Sequence, residues 1–168
     1  MEYKIRKKEQ KDCYDIAHVV TVAWQETYRG IVNDDFLDNL PNTEEDRGKK
    51  SFNEFDENNN HQFVLEVDGK IAGFVKVGIT DEQEYKNQGE IFALYVIKKY
   101  KGNGFGRKLT EMGIDELKKL GCTKMIIGCL EGNPSNEYYK HIGGEFIKTR
   151  IFKLPNQELV ENVYLFNY

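Results

Sequence analysis

Two periods of hydrophobicity alternate along the chain, and each change of period marks an element. Residues 3–6 alternate apolar and charged, the period-two signature of a strand. Ile16, Val19, Val20, Ala23, Trp24 and Thr27 then share one helical face, which predicts a helix over roughly 12–29. Asp12 stands at the N-cap position with Asp15 three residues on, and Gly30 lies past the far end. The stretch 33–57 is mostly polar. It reads as one or two short helices held by Phe36, Leu37, Leu40, Phe52 and Phe55. Asn58-Asn59-Asn60 then marks a loop.

Residues 63–67 form a strand, Asp68-Gly69 a two-residue hairpin turn, and 71–77 the returning strand. After a polar loop at 80–89, residues 90–97 are apolar on both faces beyond Glu90, the mark of a central strand. A helix over 105–120 points Leu109, Met112, Leu117 and Leu120 inward and stops at Gly121. A buried strand (123–130), a short helix (134–142) ended by Gly143-Gly144, and two strands (145–154 and 158–166) around Pro155-Asn156-Gln157 complete the chain. The order β-α-α-β-β-β-α-β-α-β-β predicts a mixed α/β fold. Its one β-α-β unit requires a right-handed crossover. With 168 residues and no repeat or linker, residues 1–168 read as one domain.

Composition narrows the function classes. A net charge of −4 without a dominant basic patch argues against nucleic acid or an anionic membrane as partner, and tolerates a cationic substrate. The first nine residues have no apolar core of a secretory signal, and no stretch reaches membrane-spanning length. A cytoplasmic protein is expected. Cys13, Cys122 and Cys129 fit neither a zinc pattern nor a disulfide framework and read as reduced core thiols. No metal is expected.

The chemistry-bearing feature is Lys101-Gly102-Asn103-Gly104-Phe105-Gly106-Arg107, between a buried strand and an amphipathic helix. Amides at a helix N-terminus lack partners and carry partial positive charge, and glycines let them converge on an anion such as a diphosphate. Lys101, Arg107 and Lys108 add full charge at the rim. A Walker loop is absent, and the Rossmann spacing fails because Arg107 stands where the third glycine belongs. The loop is then the diphosphate cradle of a coenzyme A enzyme, or a glycine-rich turn without a ligand.

The run from Glu90 to Val96 followed by Tyr100 to Gly106 resembles motif A of the GCN5-related N-acetyltransferases, Gln/Arg-x-x-Gly-x-Gly/Ala, with Lys101 in the first position. Asn133-Pro134-Ser135-Asn136-Glu137-Tyr138-Tyr139 resembles motif B of that family. Asn133 and Tyr139 match, while Asn136 replaces the usual alanine and Tyr138 the usual phenylalanine. Ala23 to Gly30 also resembles the first helix of a bacterial subgroup. The resemblance implies a mostly antiparallel sheet with one splayed parallel pair and a bulge in strand 90–97. It implies acetyl-CoA as co-substrate, with pantetheine on the backbone of Leu94, Tyr95 and Val96. It places the diphosphate on Lys101, Gly102, Asn103, Gly104, Phe105, Gly106 and Arg107, and Asn133 in the cofactor site.

Acetyl transfer to an amine requires a neutral amine, a polarised carbonyl and a protonated leaving thiolate. The resemblance places the Tyr139 hydroxyl near the sulfur, where a phenol can donate its proton. The Val96 N–H is expected to polarise the carbonyl. Glu90 is a candidate base, but equally a binder of the ammonium or a partner of a lysine. Trp24 and Tyr28, one turn apart, wall the acceptor pocket or pack in the core. The three histidines receive no role. No Ser-His-Asp or Cys-His arrangement is visible, in keeping with direct transfer. The expected activity is N-acetylation of a small cationic amine such as a polyamine. The alternative is a CoA-binding sensor without catalysis, and a weaker one is a nucleotide-binding protein. The final hairpin could pair two copies in a homodimer.

Overall fold

The computed structural model describes residues 1–168. Seven strands form one sheet in the order β1-β2-β3-β4-β5-β7-β6. They are β1 (Tyr3–Lys7), β2 (Gln62–Val67), β3 (Lys70–Ile79), β4 (Gly89–Val96), β5 (Lys124–Leu130), β6 (Glu145–Leu154) and β7 (Gln157–Asn167). Only β4 and β5 run parallel, joined by helix α3 (Phe105–Lys119). The other helices are α1 (Cys13–Thr27), α2 (Asp34–Glu54) and α4 (Ser135–His141).

The continuous apolar runs have a direct cause, since the middle of the sheet is covered on both faces. Phe63, Leu65 and Val75 pack with Leu109 and Leu117 of α3, while Val64 and Phe74 pack with Ile16 and Val19 of α1 on the opposite side. Between β2 and β3, Asp68 and Gly69 both take positive φ (48° and 80°), the two-residue turn expected of that dipeptide. Leu120, expected inward, is 39% exposed, because it caps α3 beyond the last buried turn.

Residues 33–57 hold a single helix of 21 residues that runs through Pro41. Proline removes the amide that would bond the carbonyl four residues back. The Gln25 side chain of α1 supplies that bond, donating Nε2 to the Leu37 carbonyl at 2.9 Å. Asp12 does not cap α1 with its side chain. Its carboxylate instead accepts two bonds from Arg6, at 2.7 and 2.9 Å, and one from the Glu9 amide. Those bonds hold it below the usual carboxylate range against the opposing effect of burial.

Asn136, the departure from the alanine of motif B, is buried and fully bonded. Its amide donates to the carbonyls of Leu130 and Asn133, and its oxygen accepts from Asn162 and the Tyr164 hydroxyl. The side chain thereby ties α4 to β5 and β7. Asn136→Ala strands the buried Tyr164 hydroxyl, so urea denaturation is expected to show a loss of about 2 kcal/mol.

Candidate active site

The parallel pair β4–β5 is short. Gly89, Glu90 and Ile91 face Met125, Ile126 and Ile127, and the pairing then stops. On the other edge of β4, Lys76 faces Ala93 and Val77 faces Ile91, so Phe92 is an extra residue in the ladder. This is the bulge that the family resemblance implied, and it turns the C-terminal half of β4 away from β5. The β5-facing backbone of residues 92–96, including Leu94, Tyr95 and Val96, is left without a strand partner. A cleft of about 710 Å³ opens there, lined mostly by hydrophobic residues.

One end of the cleft is the glycine loop. Gly102 and Gly104 take positive φ (84° and 78°), and Gly104 is the N-cap of α3. The first amide bonded back into the loop is that of Lys108, to the Gly104 carbonyl at 3.1 Å; those of residues 102–107 find no acceptor in the protein. A Cβ on Gly106 would reach into open space, so glycine there keeps the approach to the amides clear. These orphaned donors in front of a glycine cradle fit a diphosphate. Lys101, Gly102, Phe105 and Arg107 line the same cleft. Asn103 does not: its amide turns back to the Tyr100 carbonyl at 3.0 Å and shapes the loop.

Asn133 and Tyr139 also line the cleft. The Asn133 carboxamide oxygen accepts the Ser135 amide at 2.9 Å and opens the turn into α4. The half-buried Tyr139 ring packs against Tyr164, with 6.1 Å between centroids, and its hydroxyl has no hydrogen-bond partner in the protein. Burial, with Cys129 and Tyr95 nearby, pushes this phenol well above its ordinary pKa, so it keeps its proton throughout the neutral range.

Part of the cleft lining is aromatic. Trp24 meets Tyr28 edge to face at 4.7 Å, and Phe36 and Phe152 each lie 6.1 Å from the Trp24 ring. Trp24 and Tyr28 pack in a core cluster and also line the cleft.

Glu90 does not line the cleft. It is buried, accepts from the Thr80 hydroxyl at 2.7 Å and pairs with the Arg150 guanidinium at 2.8 Å. The carboxylate that does line the cleft is Glu161 of β7, which accepts from Nε of the same arginine. It lies over Gly128 of β5, where a Cβ would collide with the carboxylate. Arg150 also binds Glu82. Burial opposes the charge on Arg150, but the bonds from Glu90 and Glu161 outweigh it and the guanidinium is held firmly ionised. Glu161 escaped the sequence reading, although one signal was present: it interrupts the apolar row Leu159, Val163, Leu165 at period two.

The fold agrees with that of known proteins. The model of the acetyltransferase (GNAT) family matches residues 24–143. An uncharacterized N-acetyltransferase, YuaI of Bacillus subtilis, is 28% identical over 159 residues, covering 94% of this chain and 88% of the relative. The PaiA N-acetyltransferase of Thermoplasma acidophilum, solved with coenzyme A, superposes with a TM-score of 0.71 at 17% identity over all of both chains. YncA of Salmonella typhimurium, a proposed acetyltransferase solved with acetyl-CoA, gives 0.66 at 18% identity over 99% of this chain and 94% of that one. This chain is an acetyltransferase of the GNAT family.

Proposed function

We propose that the protein transfers the acetyl group of acetyl-CoA directly to the primary amine of a small cationic acceptor. The observation that carries this is a single cleft that brings together orphaned loop amides, a free phenol, an aromatic wall and a carboxylate. Acetyl-CoA, when bound, supplies an acyl group activated as a thioester. The amides of residues 102–107, with Lys101 and Arg107, hold its diphosphate, and the free backbone of Leu94 to Val96 holds the pantetheine. Trp24 and Tyr28 present π faces that attract a cation.

Glu161 takes the proton of the acceptor ammonium, directly or through a water, and assumes the base role first considered for Glu90. The freed nitrogen attacks the carbonyl carbon, polarised by the Val96 amide, and the carbon–sulfur bond breaks. Tyr139 gives its proton to the departing thiolate. Tyr139 then recovers a proton from the nitrogen as the tetrahedral intermediate collapses to the neutral amide.

Incubation of the purified protein with acetyl-CoA and a panel of polyamines, aminoglycosides and amino acids, with thiol release monitored, tests the reading. Release is expected with polyamines and not with acidic amino acids. Tight CoA binding without release on any acceptor would instead identify a sensor.

A further inference from the structure

A second, smaller cleft of about 350 Å³ shares no residue with the first. It lies between the last turns of α2, the loop that follows, Lys8 just beyond β1, Gln62 at the start of β2 and Lys76 within β3. Its lining is polar apart from Phe55. Four cations border it: Lys8, Arg47, Lys50 and Lys76.

Lys8 is the unusual one. It is 6% exposed, and lysine is rarely buried without a partner. The other buried charges of the chain all have one: Asp12 binds Arg6, Glu90 binds Arg150, and Glu116 binds Lys7 and His61. Lys8 has no carboxylate within ion-pair distance. Its ammonium donates only to the Ser51 hydroxyl at 3.2 Å, with the Phe55 ring 5.8 Å away. Two of its three donors are therefore free. Arg47, one turn before Ser51 on α2, likewise binds no carboxylate. Its guanidinium donates to the Ala17 and Leu40 carbonyls and to the hydroxyls of Thr21 and Thr43. Lys50 and Lys76 are exposed and unpaired. The cleft also carries two carboxylates, Glu54 and Asp56, both exposed and neither paired with these cations.

A buried charge left unbalanced is costly, and the cost is relieved when an opposite charge is brought to it. We infer that this cleft binds a small oxyanion of the phosphate class, held by the free donors of Lys8 and by the Ser51 hydroxyl, with Lys50 and Lys76 at its mouth. A compact ammonium and a hydroxyl suit a tetrahedral anion, which does not demand the planar fork of arginine.

The glycine loop would also attract phosphate, so the test uses protein saturated with coenzyme A. Calorimetric titration of inorganic phosphate at constant ionic strength is expected to show one saturable site with a Kd of about 1 mM or tighter. Lys8→Met is expected to weaken it at least about tenfold, the size of one charge-assisted hydrogen bond. Lys76→Gln, an exposed substitution that leaves folding intact, is expected to weaken it several-fold, while Arg107→Gln in the glycine loop leaves it unchanged. Absence of a saturable site in the wild-type protein, or full phosphate affinity in Lys76→Gln together with Lys8→Met, overturns the inference.

Discussion

Replacement of Tyr139 by phenylalanine is expected to lower kcat by about 10²-fold, the lower part of the range for losing a positioned general acid. The KM for acetyl-CoA should barely move. The reason lies in what the hydroxyl does not do: it makes no hydrogen bond within the protein, so its removal strands no partner, and the phenyl ring keeps its packing against Tyr164. Stability and CoA binding should therefore match wild type, and the loss should fall on the chemical step alone. Steady-state thiol release with a saturating amine, beside a thermal shift with CoA, separates the two quantities. Burial holds the Tyr139 phenol above its ordinary range, so the wild-type rate should not decline from its ionisation as pH rises from about 7 to about 9. Wild-type turnover in the phenylalanine variant would remove Tyr139 from the mechanism.

The parts of this site that were legible in the sequence are those fixed by local backbone chemistry. Gly104 and Gly106 lie where a strand gives way to a helix, and that position predicts unpaired amides at the helix start. The strand turn at Asp68-Gly69 and the buried face of α3 follow from equally local signals. What stayed hidden depends on partners distant in sequence. The polar stretch 33–57 reads as one or two short helices, yet one helix of 21 residues forms because Gln25, sixteen residues before Pro41, restores the bond that the proline removes. The helices also approach closely at Gly48, where a Cβ would stand 2.6 Å from a Tyr14 ring carbon. Neither contact has a signature within α2 itself.

Glu90 and Glu161 carry the same lesson at the active site. The sequence places Glu90 at the start of the central strand, where it reads as a base, a binder of the ammonium or a partner of a lysine. Which carboxylate faces the cleft is decided by Arg150, sixty residues from Glu90 and eleven from Glu161: it arrives from β6 and holds Glu90 outside the cleft wall while presenting Glu161 inside it. Gly128 then leaves the room that the Glu161 carboxylate occupies. Long-range pairing of this kind is a property of the assembled sheet order, in which β7 lies between β5 and β6.

Arg150→Met tests that arrangement, and its effect on stability should be the largest of any single substitution considered. Three carboxylates converge on this one guanidinium, those of Glu82, Glu90 and Glu161, and their side chains are only 22%, 8% and 14% exposed. Methionine fills similar volume but leaves three like charges together, so a loss of about 3 kcal/mol is expected at neutral pH, within the range for an orphaned buried ion. Lys148 continues to balance Glu82, which keeps the loss from being larger. The sign of the pH dependence is the sharper test. In the wild-type protein Glu82 is held below its ordinary pKa, first by Lys148 and then by Arg150 against burial, so its contribution is present at neutral pH and is lost as acid protonates it. In the variant the converged charges oppose folding at neutral pH, and protonation relieves them. The gap between the two proteins should therefore narrow as pH falls from about 7 towards about 4.5. Urea denaturation at both ends of that window measures it. A gap that stays constant with pH would mean that Arg150 acts through packing and not through its charge, and the electrostatic positioning of Glu161 would fall with it.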